Sequence, residues 1–188
     1  MPHEVVERIV DTARRGPSAG FTQGVDFLVL DQPEARDRFF EITGGSAVDE
    51  AALETAPPVI VLVFSDPERY LDRYSAPDKI EFGMSVAGRW PVPFWDTDAA
   101  MACMLVLLTA IDEGLGGFLF GLFQGEAELR SELGVPDDRH LIGVIGLGHP
   151  MSDLAPAIPA GRYRRPLANQ VHHNRWNPAP AADDRFWA

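Results

Sequence analysis

Between a charged, helix-patterned segment and a hydrophobic run, residues 14–31 read RRGPSAGFTQGVDFLVLD. Gly16, Pro17, Gly20 and Gly24 allow tight turns and close approach of the backbone to a ligand. Ser18 and Gln23 each offer both a donor and an acceptor. Such a loop suits the edge of a planar heterocycle with alternating donors and acceptors, although an ordinary helix-to-strand turn has the same composition. Other candidates are plainer. Cys103 lies in an apolar helix-like stretch where a thiolate is poorly solvated, so it reads as core packing. His172 and His173 are adjacent and do not converge on one helix face, and a metal site there needs ligands from elsewhere. Asp96 and Asp98 read as a helix cap and a dipole partner.

Several chemical motifs have no counterpart. The sequence contains no Gly-x-Gly-x-x-Gly, no P-loop and no His-Glu-x-x-His.

The elements that must place these residues follow from periodicity. Val5, Val6, Ile9, Val10 and Ala13 recur at helical spacing, and Gly16-Pro17 stop that helix where the loop begins. VDFLVLD is a short strand, and PEARDRFFEITGG is a helix bracketed by Pro33 and Gly44. A short helical DEAALETA leads to Pro57-Pro58 and the β-branched run VIVLVF, a central strand. Asp66-Pro67 open a helix reaching about Tyr74.

From Ser75 to Trp95 the pattern dissolves into Pro, Gly and the aromatics Phe82, Trp90, Phe94 and Trp95, a loop long enough to be a lid. Asp96 then caps an apolar helix over 97–113, stopped by Gly114. Being apolar nearly all round, it is expected in the middle of the molecule. GGFLFGLF reads as a strand, residues 126–133 as a helix closed by Gly134, and LIGVIGLGHP as a further strand. Interspersed helices and strands without regular crossovers indicate an α+β class.

Composition narrows the partners. With 46% apolar and 23% charged residues the chain has the balance of a globular protein. At 188 residues it is expected to form a single domain, 1–188. A net charge of −12 repels phosphate backbones and anionic lipid, so neither nucleic acid nor a membrane is an expected partner. The longest apolar run, Ala99–Ile111, is thirteen residues, short of the roughly 18 to 20 that cross a bilayer. One cysteine and an N-terminus without a signal-peptide pattern indicate the cytoplasm.

Four segments, in order, resemble the nitroreductase-like flavoprotein family. GPSAGFTQGVDFLVL is similar to its APSAGNxQPWxFVVV segment, and DTDAAMACMLVLLTAIDEGLGGFLFGLF to its long helix and GLGxxxxG exit. LGVPDDRHLIGVIGLGHP resembles LGIPexxxxxxxxxxGyP, and RRPLANQVHHNRW resembles the closing RkPlxEvvhxxrW.

The resemblance implies a mostly antiparallel central sheet flanked by helices and an intertwined homodimer with FMN in clefts at the subunit interface. Hydride would pass from NADH or NADPH through FMN to a nitroaromatic, quinone or similar planar acceptor. On this reading Pro17, Ser18, Ala19 and Gln23 edge the flavin, and Gly116, Gly117, Leu119, Phe120 and Gly121 approach it. Arg162, Arg164 and Arg165 would meet its phosphate. Phe82, Trp90, Phe94 and Trp95 would cap the substrate, and residues 177–188 would form a flexible or partner-embracing tail.

Two departures leave alternatives open. The family's RRSxRxF phosphate segment is not matched by PHEVVERIVDTARR, and its Asn and Trp stand as Phe21 and Val25. A deazaflavin in place of FMN, a storage or sensing protein without turnover, and an interaction protein without a flavin are the other readings.

Overall fold

A computed structural model of the chain describes residues 1–44, 50–150 and 165–176. The chain divides into two units, 1–150 and 151–188. The first unit is organised around a strand with no polar residue before its last position. β2 (Val59–Ser65) is buried along its whole length. Its side chains alternate between two apolar layers. Val59, Val61 and Val63 join Val6, Ile9 and Ala13 of α1 (His3–Ala13) and Ala99, Cys103, Val106 and Ala110 of α5 (Phe94–Asp112). On the other face Ile60, Leu62 and Phe64 meet Phe39 and Ile42 of α2 (Pro33–Gly44) and Leu129 of α6 (Glu126–Leu133). A strand covered on both faces must be apolar at odd and even positions alike, which is why it reads as an uninterrupted run.

The sheet has four strands in the order β1-β2-β4-β3, with β1 at Val25–Leu30, β3 at Gly116–Phe120 and β4 at His140–Gly148. Every pairing is antiparallel, and β2 against β4 carries a register shift at Val63/Phe64. The α+β class expected from sequence is the one found. A short α3 (Glu50–Thr55) precedes β2, and α4 (Pro67–Ser75) follows it. Asp66 caps α4 as expected, accepting the Arg69 N–H at 3.1 Å with Pro67 in the first turn.

Three sequence expectations need correction. α5 begins at Phe94, with Pro93 rather than Asp96 at its N-cap, so Phe94 and Trp95 belong to the helix and not to the preceding loop. The extended run that starts at Gly116 ends as a strand at Phe120, before Phe123. α5 is also not enclosed by its own chain. Trp95, Asp98, Ala99, Ala102, Cys103, Val106 and Ala110 face inward. Met101, Met104, Leu108 and Ile111 form an exposed stripe at helical spacing. By length and hydropathy this helix could cross a membrane, but its inner face is committed to α1 and the sheet. Burial pushes the Cys103 thiol up to about 11, as expected of a packing residue.

In the second unit, Leu167–Asn169 form one 3-10 turn. The Arg165 guanidinium donates to the Asn169 carbonyl at 2.9 Å, and His172 stacks on Trp176 with ring centroids 4.0 Å apart. Arg162, Arg164 and the tail 177–188 lie outside the described residues.

Candidate flavin-binding site

α1 ends at Ala13, and the chain enters the loop through Arg14 and Gly16. Ala19–Phe21 make a single 3-10 turn in which Gly20 has φ 63°. Phe21 and Gln23 adopt left-handed backbone as well, at φ 55° and 56°, which side-chain-bearing residues take only when surrounding contacts hold them there.

Those contacts are specific. Thr22 is buried and its hydroxyl donates to the Ala19 carbonyl at 2.6 Å. From α4, Arg69 Nε donates to the Thr22 carbonyl at 3.1 Å and Arg73 Nε to the Gly20 carbonyl at 3.0 Å. From α5, Asp98 Oδ2 accepts the Ala19 N–H at 2.8 Å and the Tyr70 hydroxyl at 2.8 Å. The loop is thereby fixed by two helices that precede and follow the aromatic segment.

Gly24 ends the loop where nothing larger fits. A Cβ there would lie 2.5 Å from the Tyr70 ring. Gly24→Ala is therefore expected to cost about 1 to 3 kcal/mol, because Tyr70 is fully buried and its hydroxyl is tied to Asp98. Its chemical-denaturation midpoint should fall with an unchanged slope, and an unaltered midpoint would show that the ring moves aside freely.

Within this frame Ser18 Oγ accepts both the backbone N–H and the side-chain Nε2 of Gln23, each at 3.0 Å. The Ser18 hydroxyl keeps its own proton for donation, and Gln23 Oε1 keeps its lone pairs for acceptance. Pro17, Ser18 and Gln23 line a cavity of about 160 Å³ together with Arg14, Val25, Asp98 and Ala102. Pro17 also borders an apolar depression of about 470 Å³ lined by Thr97, Ala100, Met101, Met104 and Leu105. A donor and an acceptor beside an apolar surface fit a flavin ring and its ribityl chain. The smaller cavity cannot hold one alone, since ligand sites run to roughly 300–1,000 Å³.

Gly116, Gly117, Leu119, Phe120 and Gly121 are not brought to this loop. β3 forms the edge of the sheet opposite β1, into which the loop leads, and neither cavity bordered by Pro17 includes any of them. Gly117 has its own packing reason, since a Cβ there would lie 2.8 Å from Leu107, whereas Gly121 faces open space.

The aromatics of the 75–95 segment form a cluster of edge-to-face rings. Trp90 packs on Tyr70, Tyr74, Phe94 and Trp95, and its Nε1 donates to the Met84 carbonyl at 2.7 Å. Phe82 is exposed beside Tyr74, while Trp95 is 7% exposed and Trp90 is half-buried. Trp95 thus packs the start of α5 onto α4, and Phe82 and Phe94 present the open ring surface.

Asp96 and Asp98 do more than serve the helix dipole. Asp96 Oδ1 accepts the buried Ser65 hydroxyl at 2.7 Å and lies 3.2 Å from His140 Nδ1. Burial first, and the bond to Asp98 second, push the Tyr70 hydroxyl well above its ordinary range, so it remains a donor. Sequence reasoning missed Asp98, Tyr70, Arg69 and Arg73 as supports of the loop. One signal for Asp98 was present: it shares a helix face with Ala102 and Val106, where an acid must find donors.

An antiparallel four-stranded sheet between two helical layers, with a helix-braced polar loop at its side, defines an α+β fold. The chain belongs to the nitroreductase family, whose model matches residues 1–149. It is 24% identical over 177 residues to an Archaeoglobus fulgidus protein named for a proposed NADH dehydrogenase/NAD(P)H nitroreductase activity, covering 92% of this chain and 86% of that one. Among solved structures it resembles the NADPH:FMN oxidoreductase of Vibrio harveyi complexed with NAD+. The TM-score is 0.64 at 21% identity, over 94% of this chain and 70% of the other. An FMN-dependent nitroreductase of Clostridium difficile R20291 matches with a TM-score of 0.63 at 19% identity, over 94% and 90% of the two chains.

Proposed function

We propose that the protein is a cytoplasmic, homodimeric FMN-dependent oxidoreductase that takes hydride from NADH or NADPH and delivers it to a small planar acceptor such as a quinone or nitroaromatic. The observation that carries this reading is the braced loop, which leaves one donor on Ser18 and one acceptor on Gln23 beside an apolar depression. FMN, when bound, supplies the redox chemistry, so the chain itself needs no nucleophile or general base.

The chain's residues bind and orient. Ser18 donates to the ring or ribityl edge and Gln23 accepts from it, while Pro17, Met101 and Met104 offer apolar surface that excludes water. Phe82, Trp90 and Phe94 cap flat acceptors by ring contact. Gly116–Gly121 approach the ring through backbone N–H groups.

Two features support a site shared by two copies. The loop and β3 lie at opposite sheet edges in one chain, and α5 exposes Met101, Met104, Leu108 and Ile111 in line. A two-fold pairing along α5 would bury that stripe and bring one copy's loop toward its partner's β3.

Purified protein should be yellow, and mass spectrometry of the released ligand should give FMN. NADH or NADPH should then support turnover of a quinone or nitroaromatic. A deazaflavin mass would replace the cofactor in this reading, and a flavin without any nicotinamide-driven turnover would replace the enzyme with a storage protein.

A further inference from the structure

Arg73 and Tyr74, in the last turn of α4, each touch both the candidate flavin loop and the aromatic segment that joins α4 to α5. Arg73 Nε donates to the Gly20 carbonyl at 3.0 Å, while its two terminal nitrogens donate to Oδ1 and Oδ2 of Asp78 at 2.8 and 2.7 Å. The guanidinium fork is thus divided between a loop carbonyl and a carboxylate of the segment. That guanidinium holds the Asp78 carboxyl down to about 2, so the pair stays ionised near neutrality. Tyr74 packs against Gly20 so closely that a Cβ there would lie 2.8 Å from its ring. The same ring meets Phe82 and Trp90 edge to face, and the Lys79 ammonium lies 5.9 Å from its centroid.

The loop held in this way is strained, since Phe21 and Gln23 keep left-handed backbone at φ 55° and 56° only while their surroundings over-determine it. Releasing Asp78 frees the Arg73 side chain to leave its one conformation, and the Gly20 carbonyl then loses a fixed partner. We propose that the last turn of α4 couples the loop to the aromatic segment, with Arg73 as the positioning residue, so that the two order and loosen as one unit. A ligand that orders the loop also firms the segment, and a segment that opens loosens the loop. The coupling itself holds for any ligand of the loop; FMN as that ligand rests on the flavin reading above.

The test is amide hydrogen exchange in the full chain. Loop reporters are Phe21, Thr22 and Gln23, whose N–H groups donate to the Ser18 carbonyl, the Ala19 carbonyl and Ser18 Oγ. Segment reporters are Ile80, Phe82 and Gly83, which donate to the carbonyls of Ala76, Lys79 and Ile80. The Asp78 side chain is 63% exposed, so Asp78→Ala keeps the fold and its effect is read locally rather than in melting temperature. It should quicken loop exchange about two- to fivefold, the range an exposed ion pair supports. Arg73→Gln should quicken it further, because the Gly20 bond is lost as well, and Asp78→Ala added to Arg73→Gln should change loop exchange no more. FMN added to the unaltered chain should slow the segment reporters, and Asp78→Ala should remove most of that slowing.

Loop exchange that is unchanged or slower in Asp78→Ala overturns the coupling. So does a further quickening of the same size in the Arg73→Gln background, which would mean that Asp78 acts by a route other than Arg73. Segment exchange that stays the same in a chain that does bind FMN overturns the coupling from the loop side. A chain that binds no FMN brings down the flavin reading, and the loop reporters then decide the coupling alone. Should Arg73→Gln fail to fold, Asp78→Ala decides it.

Discussion

A chain carrying Met104→Asp together with Leu108→Asp is expected to fold, to run as a monomer, and to lose its grip on FMN. Within one chain these side chains are 50% and 56% exposed, so aspartate there costs the fold little beyond helix propensity, about 0.5 kcal/mol per site. At a two-fold interface the same change is made twice, and four carboxylates enter a surface that offers Met101, Met104, Leu108 and Ile111. Leaving such charges buried and unpaired costs several kilocalories per mole. The dimer dissociation constant should rise at least about a thousandfold, roughly 4 kcal/mol. Circular dichroism, light scattering and FMN titration check the three parts of the expectation. A variant that stays dimeric, or an unaltered chain that is monomeric at micromolar concentration, would show that the α5 stripe is no interface.

The second large effect is expected at Gln23. Gln23→Leu keeps most of the volume but removes both the acceptor proposed to meet the flavin and the Nε2 bond to Ser18. Leaving a buried flavin group unpaired costs about 1 to 3 kcal/mol, or roughly five- to more than a hundredfold in FMN affinity. The loop itself should survive, because the Gln23 backbone N–H still donates to Ser18 Oγ and the arginines of α4 still hold the Gly20 and Thr22 carbonyls. Gln23→Gly is the companion variant. It suits the φ of 56° without strain, so it should match or exceed the unaltered chain in melting temperature while binding FMN as poorly as the leucine variant. FMN titration beside thermal denaturation reads both. Retained affinity with a loss of several degrees would make Gln23 a structural turn residue only.

The sheet and its helices were legible because local patterns and tertiary surroundings agree. The VIVLVF run is apolar at every position because both of its faces are covered, and Asp66-Pro67 carry their cap in the side chain itself. α5 was only half legible. An all-apolar helix reads the same whether its second face meets its own chain or another, so periodicity could not foresee the exposed stripe.

The start of α5 was misplaced for a local reason. Pro91 and Pro93 read as breakers of everything nearby, yet Pro93 sits at the cap and lets Phe94 and Trp95 into the first turn. Ser18 and Gln23 were visible as a polar pair among glycines. Their brace was not, since Asp98 meets Ala19 across 79 positions and Arg73 meets Gly20 across 53. Aspartates at a helix start are explained by capping until their donors are seen.

The most direct test of the flavin reading is anaerobic mixing of the FMN-loaded protein with NADH or NADPH while the flavin absorbance is followed. The account predicts that one nicotinamide bleaches the bound flavin fully and that added quinone or nitroaromatic restores the colour. A bound flavin that neither nicotinamide bleaches, or a protein that takes up no FMN at all, would contradict it.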